Sequence, residues 1–292
     1  MHPSYNPATS NIREYPSNVI KYIKQNAAPE QLLNLMQCSE RFVIPYLPVQ
    51  NLIIDKEEED GWRIRKLDNS LIQGINCDEV PNNLWITTRI YLHGFPNLLP
   101  QILPKIAVIQ LEQLSFFRQA TSCDDLVKLL SHGNVIIIKL WSSPVKYGDG
   151  DLVPLDEMLE ICSKYSLHFL VSLHFRYDLP PFSVEAAENH SKLVASTKLI
   201  YFSLVAYKET FDFGLHKMFI ELNRQICFDT YFLDHDLEDD FIEELQHLNG
   251  ITLENGLTEN PPNMFYYRGI PQETLAALDN LYSEYLELLN NE

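Results

Sequence analysis

Apolar residues at helical spacing mark the N-terminal part of the chain. Pro16 suits the first turn of a helix, because its missing N–H would be unpaired there in any case. Three aliphatic residues then fall on one face of the predicted helix: Val19, Ile20 and Ile23. The stretch 26–29 (NAAP) breaks this pattern.

A second helix is predicted from Pro29 onward. Its apolar positions are Leu32, Leu33 and Met36. We therefore predict a helical unit over residues 10–50. Two short helices bury little apolar surface by themselves, so the unit is expected to dock on the rest of the chain or on another protein.

Residues 51–83 lack a firm hydrophobic period. The charged run 55–60 (DKEEED) is typical of a solvated connector. We predict a connector here, with a strand or two and loops.

From about residue 84 a new pattern recurs, apolar-x-x-apolar-x-apolar. Its copies are Ile106/Ile109/Leu111, Val135/Ile138/Leu140, Leu170/Leu173/Phe175 and Leu199/Phe202/Leu204. The central residues stand at positions 109, 138, 173 and 202, so the copies recur at or beyond the long end of the usual repeat length of roughly 20–29 residues. A weaker fifth copy lies around Ile226 and Phe228.

Amphipathic helical stretches separate these apolar segments. The clearest runs from Ser122, a capping residue, to Gly133, which suits a left-handed stop. Further helices are predicted from Pro154 and near 184–194, 215–223 and 238–248. Strand–helix units of this length align their strands in parallel. We predict that residues 84–292 form an α/β body, an irregular leucine-rich-repeat-like solenoid, with an ordinary doubly wound sheet as the alternative.

The charge balance restricts the partners. The 292 residues include 22 Lys plus Arg and 40 Asp plus Glu, a formal net charge of −18. Phosphate backbones and anionic lipids repel such a chain unless a basic patch is present, and the sequence indicates none. No secretory signal is seen, and no apolar stretch approaches the roughly 20 residues of a membrane span. We expect neither a nucleic-acid nor a membrane partner.

The cysteines indicate a reducing compartment. All five are scattered without paired spacing: Cys38, Cys77, Cys123, Cys162 and Cys227. Such a set is typical of free thiols, so we expect a cytoplasmic or nuclear protein.

No motif indicates a cofactor or a metal. The stretch 149–151 (DGD) favours a turn over a metal loop. Asp234 and Asp236 begin like a calcium loop, but Asp239 stands where that loop needs glycine. Glycine-rich phosphate loops and zinc-binding spacings do not occur in the sequence. We expect no cofactor, no metal and no catalytic residue.

One polar strand face keeps an enzymatic alternative open. His174, Arg176 and Asp178 alternate with aromatic residues and therefore face one way on a predicted strand. A catalytic role would need a positioned partner, for which the sequence has no signature. A hydrogen-bonded polar strand face is the preferred interpretation.

The residues between the apolar positions form a predicted ladder. If the units stack, they and their same-face neighbours line one surface: Gln110, Glu112, Lys139, Trp141, His174, Arg176, Tyr201 and Ser203. Aromatic, arginine and small polar side chains are favoured at protein-recognition surfaces. We predict that this ladder binds a protein target, the alternative being that loops or helices cover it.

The N-terminal segment resembles a known family. Residues 15–42 (YPSNVIKYIKQNAAPEQLLNLMQCSERF) are similar to the F-box consensus of a proline, spaced aliphatics, a break, a Leu-Leu pair and an aromatic residue. The rest resembles a nematode-expanded group of F-box-like proteins with irregular leucine-rich-repeat-like bodies. The matching pieces are NPATSNI (6–12), GNV (133–135), VKYGDGDLVPLDEML (145–159) and PPNMFYYRGIPQETLAALDNLY (261–282).

This resemblance implies a non-enzymatic function. F-box proteins bind the adaptor subunit of a cullin-based ubiquitin ligase and present a substrate on the body. The implied adaptor-binding residues are Pro16, Val19, Ile20, Ile23, Leu32 and Leu33. We therefore expect an SCF-type substrate receptor. The alternatives are a binding protein whose N-terminal helices only cap the solenoid, and an α/β enzyme with a site around His174.

Overall fold

The computed structural model describes residues 16–38, 42, 44–55, 61–131, 135–166, 172–176, 199–206, 211–234, 236–258 and 260–291. The described helices are α1 (Ser17–Asn26), α2 (Pro29–Cys38), α3 (Leu98–Ile102), α4 (Cys123–Leu130), α5 (Leu155–Ser166), α6 (Phe213–Leu222), α7 (Asp239–Asn255) and α8 (Gln272–Asn291).

The thirteen described strands all follow α2 in the sequence. They are β1 (Leu47–Asp55), β2 (Gly61–Lys66), β3 (Leu71–Gly74), β4 (Leu84–His93), β5 (Ile106–Ile109), β6 (Gln113–Phe117), β7 (Thr121–Ser122), β8 (Ile137–Trp141), β9 (Val145–Lys146), β10 (Ser172–Arg176), β11 (Tyr201–Ala206), β12 (Cys227–Phe232) and β13 (Met264–Tyr267).

Eleven of the strands form one sheet of the order β13-β12-β11-β10-β8-β6-β4-β1-β2-β3, with β5 beside β4. The three strands at the β3 end are antiparallel. The strands β1, β4, β6, β8, β10, β11, β12 and β13 are parallel and lie side by side in that order. The prediction of an α/β fold with parallel strands is confirmed at this level.

The predicted connector belongs to this sheet. The boundary placed at residue 51 falls inside β1, which lies between β4 and β2. Trp62 and Ile64 of β2 are buried in the core, so this segment is more than a solvated link.

Adjacent strands place the predicted apolar residues side by side. Ile138 pairs with Leu173, Leu173 with Phe202, and Phe202 with Phe228. The prediction that the central residues share one sheet is confirmed for these strands.

The first copy of the pattern is misaligned in the prediction. Ile109 lies on β5 and pairs with Ile86, whereas Leu114 on β6 takes the position beside Ile138. Leu114 also pairs with Ile90 of β4, so the aligned positions are 90, 114 and 138, which are evenly spaced. The predicted repeat from Ile109 to Ile138 is therefore wrong, because it is longer than the repeat that the strand pairing shows.

The main core lies on one face of the sheet. Alternate strand residues such as Leu114, Phe116, Ile138 and Leu140 are fully buried there. Side chains of α3 to α7 pack against them, including Leu99, Leu126, Met158, Phe219 and Leu245. We call this side the first face.

The helix limits follow the sequence signals in part. Ser122 caps α4, since its Oγ accepts a hydrogen bond of 3.0 Å from the N–H of Asp125. Pro154 precedes α5, as predicted. The helices predicted near 215–223 and 238–248 correspond to α6 and α7. Gly133 and the helix predicted at 184–194 lie outside the described residues.

Candidate functional site

The opposite side of the sheet, the second face, carries the functional candidates. Side chains of paired residues on neighbouring strands point to the same side of a sheet. One line across this face passes through Arg65, Asn51, Arg89 and Gln113. The next passes through Arg63, Ile53, Tyr91, Ser115 and Lys139.

The third line lies near the carboxyl ends of the strands and includes five aromatic rings, which we call the aromatic row: His93, Phe117, Trp141, Tyr231 and Tyr266. The ring centres of Phe117 and Trp141 are 4.2 Å apart, and those of His93 and Phe117 are 5.1 Å apart. Tyr231 and Tyr266 stack at 4.5 Å. All five side chains are half-buried, so their exposed parts can still contact a partner.

A cleft of about 300 Å³ opens beside this row. It is lined by His93, Phe117, Arg118, Trp141, Ser142, Val205, Tyr231 and Leu233. It therefore lies at the carboxyl ends of the parallel strands, where ligands of open α/β sheets commonly bind.

Three strand ends beside the cleft are followed by a residue with a positive φ. Gly94, Arg118 and Ser142 follow the last residues of β4, β6 and β8 and have φ values of 123°, 53° and 47°. The left-handed region is costly for side chains other than glycine. The N–H of Arg118 donates a 2.9 Å hydrogen bond to the carbonyl of Trp141, which helps to hold this turn.

The second face carries several cations. Its first two lines contain four cations on β1, β2, β4, β6 and β8: Arg63, Arg65, Arg89 and Lys139. Within the described residues of these strands, the only acid on the second face is Asp55, whose Oδ1 lies 3.2 Å from His93 Nδ1. Strand pairing gathers these cations from distant parts of the sequence, and the expectation that the chain has no basic patch stays a prediction, because Arg63 and Lys139 have further interactions.

The far end of the second face is covered by α8. Leu278 is buried there with Tyr201, Cys227 and Met264. The ring of Tyr282 lies 5.3 Å from that of Tyr201, measured between centres. At this end of the sheet the face is an internal surface.

A buried hydrogen bond lies beneath this helix. The hydroxyl of Tyr201 donates to Oδ2 of Asp229, and both residues are buried. Burial, followed by the neighbouring Asp229 carboxylate, raises the pKa of Tyr201. Burial also raises the pKa of Tyr266 and of Tyr282. All three phenols therefore stay protonated at neutral pH.

The structure places the middle of the predicted ladder on the second face and its start elsewhere. Lys139 and Trp141 lie on the second face and are half-buried. Gln110 and Glu112 precede β6, and their expected places are occupied by Ser115 and Phe117. Gln110 instead accepts a 2.9 Å hydrogen bond from the Trp85 indole.

The remaining ladder residues lie on β10 and β11. The backbones of His174 and Arg176 pair with Lys139 and Trp141, while their side chains are outside the described structure. Tyr201 and Ser203 are buried, Ser203 completely, so neither side chain is accessible to a partner here. For these two residues the structure supports the alternative that other elements cover the ladder.

The aromatic row includes residues that the sequence analysis missed. Four members of the row were not among the predicted site residues: His93, Phe117, Tyr231 and Tyr266. Tyr91, in the neighbouring line of the second face, was missed as well. The even spacing of His93, Phe117 and Trp141 along the sequence is the signal that could have identified the first two.

The N-terminal helices pack partly against the chain itself. Leu32 is buried with Phe42 and Trp85, so it is not available to an adaptor. Ile20 and Ile23 are half-buried against the same cluster. Pro16 is exposed and Val19 is half-buried, and the side chain of Leu33 is outside the described structure.

The structure describes the stretch 149–151, which the sequence analysis weighed as a metal loop or a turn. Residues 149–151 form a turn in which the N–H of Asp151 donates a 3.1 Å hydrogen bond to Oδ1 of Asp149, and Gly150 has a φ of 98°. The preference for a turn is confirmed. In the described part of the chain no three His, Cys, Asp or Glu side chains gather as a metal site would require.

Two further findings concern the chain as a whole. Neither a protein-family model nor a curated protein matches the sequence. No helix among the described residues has the length and apolar character needed to cross a membrane.

Proposed function

We propose that this protein is a non-enzymatic interaction subunit that holds a target protein against its second face. The observation that carries the proposal is the half-buried aromatic row beside arginine and lysine side chains. Aromatic and arginine residues dominate the energetics of protein interfaces, because rigid rings bury a large area at low entropic cost.

We further propose that the body is an irregular leucine-rich-repeat-like array. Two features support this: strands β4 to β13 follow chain order, and the first aligned positions, 90, 114 and 138, repeat within the usual length of roughly 20–29 residues. The later aligned positions, 138, 173, 202 and 228, are unevenly spaced, so the array is irregular.

For the N-terminal helices, capping the body is the role that the packing favours. Leu32 is 1% exposed beside Trp85, and Ile20 and Ile23 lie against the same cluster. A cap shields the apolar end of a repeat array from water. In this version the protein, a cytoplasmic or nuclear one, binds its target without a ligase.

The ligase receptor is the second candidate. The resemblance to F-box proteins and the outer side of α1 favour it, since Tyr22 there is 66% exposed. An adaptor of a cullin-based ligase would then bind helices α1 and α2 around Val19 and Tyr22.

Affinity purification with mass spectrometry tests both parts. We expect Trp141→Ala to lose the target that the wild-type chain retains, whereas Lys128→Ala, an exposed change on α4, should keep it. Equal recovery with both variants would refute the second face as the target site. If an adaptor co-purifies with the wild type and is lost with Val19→Asp plus Tyr22→Asp, the protein is a ligase receptor. If no adaptor co-purifies with the wild type, the N-terminal helices act only as a cap.

A further inference from the structure

We infer that a cleft between α6 and α7, on the first-face side of the sheet, binds a small aromatic amine. This inference goes beyond the proposed function, because the second face lies on the other side of the sheet. Three observations carry it: the size and lining of the cleft, the two helix ends that meet there, and the charge of the surrounding helices.

The cleft is large enough for an aromatic ring with a short chain. Its volume is about 280 Å³, whereas an engineered apolar cavity of about 150 Å³ holds a benzene molecule. The apolar residues Ile220 of α6 and Phe265 of β13 line it and are 7% and 4% exposed. Ile251 of α7 also lines it and is 41% exposed, so it lies at the rim. Buried apolar walls with an open rim are typical of ligand sites.

One wall of the cleft is fixed by hydrogen bonds. It consists of the described residues between α7 and β13, among them Thr258, Asn260 and Asn263. The hydroxyl of Thr252 donates a 3.0 Å hydrogen bond to the carbonyl of Asn263, and that of Thr258 donates one of 2.9 Å to the carbonyl of Asn260. The wall is therefore formed before a ligand arrives, which lowers the entropic cost of binding.

Two helices end at this cleft. It is lined by residues of α6 from Lys217 onward and of α7 from Leu248 onward. The carboxyl end of a helix is stabilised by cations, yet the last turns of α6 and α7 contain Glu221 and Glu254 and no basic residue. Glu221 is exposed and lines the cleft. A bound ammonium group would supply the positive charge that both helix ends lack.

The surrounding charge favours a cationic ligand. Helix α7 has five acidic residues and neither lysine nor arginine. The only cation among the described residues of the lining is Lys217, whose Nζ donates to Oε1 of Glu244 and lies 5.0 Å from the centre of the Phe213 ring. The cleft therefore attracts an ammonium group and repels a carboxylate or a phosphate.

Isothermal titration calorimetry with the full chain tests the inference. The probe is phenethylamine, which carries an ammonium group at neutral pH. The matched probe is phenethyl alcohol, which has the same ring and chain and a neutral hydroxyl. We expect the amine to bind about tenfold more tightly at low salt, as expected for two helix ends and one ion pair, and salt to reduce that ratio.

Substitutions then locate the binding site. Glu221→Gln should weaken binding of the amine about threefold and leave that of the alcohol unchanged. Glu243→Gln removes the same charge from an exposed residue of α7 outside the lining, and it should change neither affinity. Ile251→Ser should weaken both probes, because it removes an apolar contact that they share.

Three results would overturn the inference. The first is equal affinity for the amine and the alcohol, and the second is no binding of either probe. The third is an equal loss with Glu221→Gln and Glu243→Gln, since the amine would then bind only to the acidic surface in general. None of these results bears on the second face, which the purification with Trp141→Ala tests separately.

Discussion

We predict that His216 makes the stability of the body sensitive to mild acid. The residue is 4% exposed in α6, its Nε2 lies 2.8 Å from Thr230 Oγ1, and its ring contacts Phe211 and Phe228. Burial among these rings lowers the pKa of His216 from 6.5 to about 3. The folded chain therefore keeps this imidazole neutral over the range in which the unfolded chain protonates it.

The sign and size of the effect follow from this difference. Between the folded and unfolded pKa values the unfolded state binds more protons, so the free energy of unfolding falls as the pH falls below 6.5. The contribution is complete above that pH and lost progressively toward pH 3. Each pKa unit corresponds to about 1.4 kcal/mol, which gives a loss of about 2 kcal/mol between pH 7 and pH 5.

Urea denaturation at pH 7 and at pH 5 measures this loss. Other titrating groups contribute equally to the wild type and to His216→Gln, so the difference between their pH dependences isolates His216. We expect the wild type to lose about 2 kcal/mol more than the variant. An equal loss for both proteins, or a larger loss for the variant, would refute the buried neutral imidazole.

The remaining predictions concern packing. Gly74→Ala should destabilise the fold by about 1–3 kcal/mol, because its Cβ would lie 2.7 Å from the Trp62 ring. The control Gly148→Ala should change stability little, because its Cβ would have nothing within 4 Å. Equal losses of stability in the two variants would contradict this prediction. Ile138→Ala should lower the free energy of unfolding by about 2–5 kcal/mol in urea denaturation, since the side chain is fully buried. Lys139→Ala should lower it by less than about 1 kcal/mol. A larger loss for Lys139→Ala than for Ile138→Ala would contradict the assignment of Ile138 to the core face.

The strand–helix alternation and the apolar side of the sheet were predictable, and the strand register was not. In the sequence, Ile109 and Leu114 both fit the second apolar position of the apolar-x-x-apolar pattern equally well. Their difference arises from pairing with β4, where the register shifts between Val49 and Asn51 of β1 and again between Leu84 and Trp85. Pairing across strands is a long-range property that a single unit does not encode.

The candidate site was predictable only in its central part. Lys139 was found because it lies between the core residues Ile138 and Leu140 of β8, and Trp141 because it is the next residue on the same face. The gathering of cations on the face depends on which strands become neighbours, since Arg65 and Arg89 are brought together through Asn51 of β1. Coverage by α8 is likewise a tertiary effect, so the burial of Tyr201 had no local signal.

Site-specific photo-crosslinking tests the central claim, that the second face holds a partner protein. A benzophenone amino acid replaces Phe117 in the aromatic row, and in a matched variant it replaces the exposed Lys128 on α4. The account predicts a crosslinked partner from position 117 that Trp141→Ala abolishes, and none from position 128. A partner crosslinked from position 128 and absent from position 117 would contradict it.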